Sequence, residues 1–236
     1  MNPQEDPLGQ ALLAYLAGDP GASVMVFSDV TVPDKLEAAY LFRSYLHMSG
    51  WEQQALAACR GPVLDIGAGA GAHSLALQES GISVTALDSS PGAVEVMRRR
   101  GVADVRLGAY QHFEGSGYQT LLLMMNGIGV TGNLLGLNAF LQVAHQWLAP
   151  GGQILLDSSD IRYLYEHEQG FSPPGDRPYY GIVRYRMVYG STSGPAFEWL
   201  YIDQARLRRH AQLAGWQMDI LAEGPHYEYL ARLSRA

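Results

Sequence analysis

A glycine-rich turn between an apolar run and a helical pattern constrains this chain most. Residues 63–72 read Val-Leu-Asp-Ile-Gly-Ala-Gly-Ala-Gly-Ala, and the next residues have helical character. Glycine lets the backbone adopt left-handed conformations and approach a ligand closely, while the first turn of a helix offers unpaired N–H groups. The order of strand, glycine turn and helix therefore predicts a nucleotide pocket at the edge of an open α/β sheet.

Composition limits the possible classes of protein. The 236 residues, 47% hydrophobic and 17% charged, predict one folded domain with a sizeable core. A net charge of -7 argues against a broad nucleic-acid surface, so the arginines at 98–100 and 206–209 are predicted to be solvated helix faces. The single cysteine, Cys59, permits no internal disulfide. No apolar run approaches the ~20 residues that span a bilayer, and the acidic start does not resemble a secretory signal. We expect a cytoplasmic protein with no nucleic-acid or membrane partner.

The order of the predicted elements defines the fold class. The first 60 residues are predicted to be helical, in the segments 7–16, 33–48 and 50–60. Strands then alternate with helices, at 63–66, 82–87, 102–107, 118–125 and 153–156, which predicts a doubly wound parallel sheet. Later strands are predicted in an antiparallel excursion and in a closing hairpin, at 182–189, 196–202, 217–222 and 227–233.

We therefore predict a single α/β domain built on a Rossmann-like, mostly parallel sheet of seven strands. A C-terminal antiparallel hairpin closes the sheet, and N-terminal helices and a small antiparallel excursion are added to it. The predicted regions are a helical cap, a cofactor-binding core, a substrate-side insert, and a terminal helix with the hairpin, at 1–60, 61–160, 161–202 and 203–236.

Two chemistries use such a glycine turn. The segment 67–72 satisfies the dinucleotide fingerprint with alanine in its last place, so an NAD-dependent oxidoreductase is one alternative. Asp65 distinguishes the two. A carboxylate at the strand end disfavours a pyrophosphate but suits a ligand with a cationic centre and an amino-acid head. S-adenosylmethionine fits that description, because it carries a sulfonium and an ammonium and no phosphate.

These residues resemble the first motif of the class I S-adenosylmethionine-dependent methyltransferases. The likeness continues at Asp88, which ends the second strand at the spacing from Asp65 that a ribose-binding carboxylate needs. The segment 148–152, Leu-Ala-Pro-Gly-Gly, and the closing hairpin are further family traits. The resemblance implies that S-adenosylmethionine is the cofactor and that a methyl group passes by in-line displacement to a small-molecule acceptor. A non-catalytic module that binds the same cofactor is a second alternative.

The resemblance also implies a set of cofactor-binding residues around the turn and the strand ends. They are Asp65, Gly67, Ala68, Gly69, Asp88, Ser89, Asn126, Gly127 and Arg43. Arg43 is a candidate partner of the methionine carboxylate, or else an exposed helical arginine. The family often has an acid after the third strand to contact adenine, but residues 108–111 read Gly-Ala-Tyr-Gln here, so the adenine contact is not assigned.

Candidate acceptor residues follow the fifth strand and lie in the excursion. They are Asp157, Asp160, Arg162, Tyr163, Tyr165, His167, Tyr179, Tyr180, Arg184, Tyr185 and Trp199. Their aromatic rings predict either a pocket for a flat or cationic molecule or ordinary strand packing. His167 is either a general base or an exposed loop residue. No catalytic residue is assigned, and no metal site is predicted because no His–carboxylate set has ligand spacing.

Overall fold

Helices and strands alternate through the centre of the chain, which the computed structural model describes over residues 5–168, 170–173 and 175–236. The helices are α1 (Pro7–Leu16), α2 (Ala38–Leu41), α3 (Gly50–Ala58), α4 (Ala72–Glu79), α5 (Pro91–Arg100), α6 (Leu134–Trp147) and α7 (Gln204–Leu213). The first strands are β1 (Ser23–Ser28), β2 (Asp34–Glu37), β3 (Val63–Ile66), β4 (Val84–Asp88), β5 (Asp104–Leu107), β6 (Tyr118–Leu123) and β7 (Leu148–Ser159). The later ones are β8 (Glu166–His167), β9 (Gly170–Phe171), β10 (Ile182–Tyr189), β11 (Thr192–Ser193), β12 (Phe197–Leu200), β13 (Trp216–Glu223) and β14 (Glu228–Arg235).

A seven-stranded sheet forms the core, in the order β13-β14-β7-β6-β3-β4-β5. The strands from β7 to β5 are parallel, whereas β14 runs antiparallel to both β7 and β13. The inner strand β3 and residues 120–123 of β6 are buried and mostly apolar, as a sheet covered on both faces requires. The predicted fold class is therefore confirmed. No helix in the described ranges is both long and apolar enough to span a bilayer.

Helix signals in the sequence identify the helices that flank the sheet. The Ser90 side chain accepts a hydrogen bond from the backbone of Ala93 at the start of α5, and Gly101 ends this helix with φ 92°. Asn133 caps α6 in the same way, through the backbone N–H groups of Leu135 and Gly136. These contacts satisfy backbone groups that a helix end leaves unpaired.

A second sheet joins the N-terminal region to the predicted excursion. Its order is β11-β10-β1-β2, and β12 pairs with β10 as well. The prediction of helix over 33–48 was wrong, because this segment begins with β2 and only Ala38–Leu41 is α-helical. The strand β1 was missed altogether. Both strands exist because the long strand β10 pairs with β1 and β1 pairs with β2, and such pairing overrides local propensity.

The helix α1 is held against α5 by a close contact between two glycines. A Cβ atom added to Gly92 would lie 2.5 Å from the Cα and carbonyl carbon of Gly9. Asp6 is buried beside this contact, and its carboxylate accepts hydrogen bonds from the backbone of Gly9 (2.8 Å), the Ser90 hydroxyl (2.7 Å) and the backbone of Gly92 (2.9 Å). The N-terminal helix is therefore docked at the residues that follow β4.

The arginines of α5 are only partly a solvated face. Arg98 and Arg99 are exposed, as predicted, but Arg100 is half-buried. Its guanidinium donates to the carbonyl oxygens of Ala70 and Phe42 and lies over the Phe42 ring, 4.6 Å from the centroid. The prediction was therefore wrong for Arg100, which links the glycine turn to the N-terminal region.

Replacing Gly92 by alanine tests the contact between α1 and α5. Alanine favours a helix over glycine, so the change would be neutral or stabilising without the contact. We expect instead a loss of about 1–3 kcal/mol in the free energy of unfolding, because the added methyl group overlaps Gly9. Urea denaturation measures this. Gly50→Ala is the matched control, since a Cβ there meets no described atom within 4 Å. Equal stability of both variants would contradict the close contact.

Candidate functional site

The glycine turn leaves its backbone open on one side. Gly67, Gly69 and Gly71 have φ angles of 76°, 57° and 80°, which favour glycine. A Cβ added to Gly67 or Gly69 would meet no atom of the described residues within 4 Å. At Gly71 it would approach Met97 and Val102 at 3.0 Å. The first two glycines thus leave space for a ligand, and the third allows α4 to pack against α5.

Asp88 lies beside the turn at the end of β4. Its carboxylate accepts hydrogen bonds from the backbone N–H of Gly69 and of Ser90, both at 2.8 Å. Burial raises its pKa to about 6, although these N–H groups favour the ionised form. The backbone of Gly67 and Ala68 donates to the carbonyl oxygen of Leu87, which fixes the turn to the same strand. The adjacent Ser89 is exposed.

Asp65 is buried at the end of β3 and is already occupied by the protein. It accepts a hydrogen bond of 2.6 Å from the Ser74 hydroxyl, on the first turn of α4. Burial raises its pKa, while the nearby His73 and the Ser74 bonds act in the opposite direction. The carboxyl group therefore positions the start of α4 beneath the glycine turn.

A buried ion pair holds Arg43. One carboxylate oxygen of Glu52 accepts a hydrogen bond from the Arg43 guanidinium and lies 2.8 Å from His73 Nε2. The other oxygen accepts from the backbone N–H and from the hydroxyl of Ser49, both at 2.9 Å. Burial acts to raise the Glu52 pKa, but the hydrogen bonds of His73 and Ser49 and the charges of His73 and Arg43 lower it to about 2. Glu52 thus stays ionised and fixes the side chains of Arg43 and His73.

Arg43 keeps a donor for a further partner. Its guanidinium donates to the Tyr40 carbonyl oxygen at 2.6 Å and lies over the Tyr40 ring, 4.2 Å from the centroid. Within the described residues, the buried Nε–H of Arg43 has no hydrogen-bond acceptor. A buried donor without an acceptor costs free energy, so this group is suited to an anionic ligand atom.

Two residues in left-handed conformation follow β6. Met125 and Asn126 have φ angles of 65° and 54°, which cost energy for residues other than glycine. The Asn126 amide donates to the Leu200 carbonyl oxygen (3.1 Å) and accepts from the Ser158 hydroxyl (2.7 Å), which holds this backbone in place. The Asn126 side chain therefore joins the central sheet to β12, and the adjacent Gly127 is buried.

Asp157 lies beside this segment, near the end of β7. It is 9% exposed and accepts from the backbone N–H of Gly127 at 3.4 Å. Burial raises its pKa to about 7, although the backbone groups of Gly127 and Asn126 and the charge of His73 favour ionisation. A carboxyl group that titrates near neutral pH at the edge of an α/β sheet is a candidate for proton transfer.

The antiparallel sheet and the adjoining loops carry most of the predicted aromatic residues. Tyr185 and Tyr201 are joined by a hydrogen bond of 3.0 Å between their hydroxyls, while Tyr163 stacks on Tyr227 with centroids 6.1 Å apart. The other candidates make contacts within the protein. Tyr165 and Tyr179 are buried, and Tyr180 donates to Asp160. Arg184 pairs with Asp176, and Arg162 pairs with Glu166. Trp199 packs on Gly129, and His167 is exposed in β8.

The predicted residues thus divide into two groups. Gly67, Gly69, Asp88 and Gly127 lie at one edge of the sheet, where a Cβ at Gly67 or Gly69 would meet no described atom, and Ala68 and Ser89 adjoin them. Asp65 and the side chain of Asn126 bond within the protein. Sequence reasoning missed Glu52, although Ser49-x-x-Glu52 is a recognisable capping box.

Comparisons with known proteins agree with this geometry. A family description of the methyltransferase domain matches residues 63–152. A solved S-adenosylmethionine-dependent methyltransferase from Bacteroides fragilis, in complex with S-adenosylhomocysteine, is 40% identical, with a TM-score of 0.92 over 100% of this chain and 97% of that chain. CcbJ from Streptomyces caelestis is 15% identical, with a TM-score of 0.61 over 81% and 94% of the two chains.

CalS10, an amino pentose methyltransferase from Micromonospora echinaspora, is 18% identical, with a TM-score of 0.55 over 84% of this chain and 95% of that chain. These last two likenesses concern the fold. A search among curated protein sequences gives no match.

The raised pKa of Asp157 predicts a stability effect with a definite sign. The native state holds the carboxyl proton up to about pH 7, whereas a free aspartate has a pKa of 3.8, so stability falls as pH rises between these values. Asp157→Asn removes this penalty. We expect the free energy of unfolding of the variant, relative to that of wild type, to be roughly 2–4 kcal/mol higher at pH 8 than at pH 4. Urea denaturation at the two pH values measures this difference.

Asp219→Asn is the control for this measurement, because Asp219 is exposed and pairs with Arg232 at the surface of the hairpin. Its effect on stability is expected to stay small at both pH values. If Asp157→Asn destabilised the protein equally at pH 4 and pH 8, Asp157 would be an ordinary hydrogen-bonded structural residue.

Proposed function

This chain belongs to the S-adenosylmethionine-dependent methyltransferases, and we propose that its methyl acceptor is a small molecule bound beside the antiparallel sheet. The observation that carries the proposal is the position of that sheet. The strand β12 is tied to the cofactor-side edge through Asn126, and β10 and β1 extend from it with their aromatic residues. A sheet that covers the edge leaves room for a small ligand more readily than for a macromolecule.

The residues at the edge fit S-adenosylmethionine. Gly67 and Gly69 leave open space beside the backbone, and Asp88 has lone pairs left for ribose hydroxyls. The Nε–H of Arg43, which has no acceptor among the described residues, suits the methionine carboxylate. When bound, the cofactor supplies an activated methyl group on a sulfonium. The protein aligns the acceptor atom with that methyl group and excludes water, which are the main requirements of an in-line displacement. Glu52 and His73 position Arg43 for this purpose.

The charge and the known proteins of this fold support a small acceptor. A net charge of -7 disfavours a nucleic acid, because phosphate contacts require a basic surface. CalS10, which shares the fold, is an amino pentose methyltransferase and thus acts on a small molecule.

The direct test of the proposal is methyl transfer itself. The protein is incubated with S-adenosylmethionine and pooled small molecules, and in separate reactions with protein and RNA extracts, and the release of S-adenosylhomocysteine is measured. We expect release with the small-molecule pools alone. Release only with protein or RNA would overturn the proposed acceptor class, and binding without any release would favour a non-catalytic module.

Asp88 provides a test of the cofactor position. The ionised carboxylate can accept bonds from two ribose hydroxyls, so Asp88→Asn should weaken S-adenosylhomocysteine binding about ten- to a hundredfold. Because the pKa of Asp88 is about 6, wild-type affinity should fall as pH drops below 6, and the variant should lose this dependence. Calorimetric titration from pH 5 to pH 8 measures both effects.

Asp104→Asn is the matched control for Asp88. Asp104 begins the neighbouring strand β5, and its carboxylate bonds to Thr85 and Arg106 within the protein. This variant is expected to bind S-adenosylhomocysteine as wild type does. An unchanged affinity in Asp88→Asn would show that the ribose lies elsewhere.

A further inference from the structure

Asp157 is a buried carboxylate whose partners, among the described residues, are backbone N–H groups. Its hydrogen bond to the Gly127 N–H is long, at 3.4 Å. Among the described residues, no lysine or arginine nitrogen lies within 4.0 Å of its oxygens. A buried charge without a cation is costly, and proteins retain such groups mainly where a ligand or a reaction uses them.

The surroundings of Asp157 place it between the cofactor-side residues and the antiparallel sheet. It lies at the carboxyl end of β7, beside Gly127, which follows the parallel strand β6. The next residue, Ser158, donates to Asn126 and accepts from the backbone of Ile202, which follows Tyr201. Asp157 therefore lies next to the residues that join the proposed cofactor site to the acceptor side.

The acceptor side offers neutral hydroxyls and this carboxylate. Burial raises the pKa values of Tyr185 and Tyr201, so both hydroxyls stay protonated at neutral pH. The nearby arginines are engaged: Arg177 pairs with Asp29, Arg184 with Asp176, and Arg162 with Glu166. Because these arginines are already paired, an anionic acceptor would meet Asp157 without a compensating cation, whereas a cationic ligand would be attracted to it.

We propose that the methyl acceptor is an amine and that Asp157 removes the proton from its nitrogen. This inference rests on the proposed small-molecule function and specifies its substrate class. The amine nitrogen forms a bond to the methyl carbon while the carbon–sulfur bond breaks, and the electron pair of that bond remains on sulfur as S-adenosylhomocysteine forms. One N–H proton passes to Asp157 and then to solvent, so a protonated amine and S-adenosylmethionine yield a methylated ammonium, S-adenosylhomocysteine and one proton.

The properties of Asp157 suit deprotonation of an amine better than methylation of an alcohol or of an acid. Its pKa of about 7 suits a group that must gain and lose a proton near neutral pH. An aliphatic alcohol releases its proton far less readily than an ammonium, and a carboxylic or phosphate acceptor needs no base. The carboxylate also attracts a protonated amine before the proton is transferred.

The test uses matched acceptors on shared carbon skeletons, each as an amine, an alcohol and a carboxylate. Benzylamine, benzyl alcohol and benzoate form one set, and glucosamine, glucose and glucuronate form another, within a larger panel built in the same way. Release of S-adenosylhomocysteine and the mass of the product are measured with wild type and with Asp157→Asn. We expect methylation of amines alone, and a fall in kcat/KM of a hundredfold or more in the variant.

Further readouts separate proton transfer from a structural role. S-adenosylhomocysteine affinity should stay within about threefold of wild type in Asp157→Asn. The rise of kcat/KM with pH near 7 should disappear in Asp157→Asn and persist, with part of the rate, in Asp157→Glu. Asp219→Asn, at an exposed position of β13 that pairs with Arg232, should keep the wild-type rate.

Four outcomes would overturn the inference. Turnover of alcohols or carboxylates alone would agree with a small-molecule acceptor, but it would show that the acceptor is not an amine and that Asp157 does not deprotonate one. Unchanged amine turnover in Asp157→Asn would show that Asp157 is not the base. A tenfold or greater loss of S-adenosylhomocysteine affinity with unchanged kcat would assign Asp157 to the cofactor's ammonium. A protein that binds S-adenosylhomocysteine but methylates no amine would also exclude an amine acceptor. Methylation of protein or RNA alone would instead overturn the proposed small-molecule function.

Discussion

The left-handed backbone of the glycine turn is the constraint on which the other parts of the site depend. It brings the chain from β3 into α4 while its N–H groups bond to the end of β4, through the Leu87 carbonyl and the Asp88 carboxylate. The Ala70 carbonyl, in the same turn, accepts from Arg100. One short segment thus fixes two strand ends, two helices and the N-terminal region, and a side chain at Gly67 or Gly69 would strain all of these contacts.

The site concentrates buried carboxyl groups, and each is stabilised in a different way. Glu52 is ionised because Arg43, His73 and Ser49 surround it, and Asp65 is held by the Ser74 hydroxyl. Asp157 accepts a long hydrogen bond from the Gly127 N–H, and burial raises its pKa to about 7. The cofactor of this family carries a net positive charge, so an excess of carboxyl groups makes the site electrostatically complementary to it. The same excess lowers the stability of the protein without ligand.

The sequence predicts the central sheet well because its signals are local. Apolar runs, helix caps such as Ser90 and Asn133, and the glycine turn each depend on a few neighbouring residues. The strands β1 and β2 could not be found in this way, since their pairing partner β10 lies more than 150 residues away in the chain. Glu52 was missed for a related reason: a capping box explains it locally, and only the fold brings Arg43 and His73 to its second oxygen. That no lysine or arginine in the described part of the chain pairs with Asp157 is likewise a property of the fold and cannot be read from the sequence.

The antiparallel sheet couples the acceptor side of the site to the cofactor side. Its strands come from both sides of the cofactor-binding core, with β1 and β2 before it and β10 and β12 after it. Ser158 joins this sheet to the core, because its hydroxyl donates to Asn126 and accepts from the backbone of Ile202 at 3.1 Å. Asp157 is the next residue in the chain. A displacement of β12 would therefore act on Asn126, on Ser158 and, through the backbone, on the carboxylate beside them. The acceptor side and the cofactor side share one set of hydrogen bonds, so the binding of an acceptor under this sheet would also set the position of Asp157.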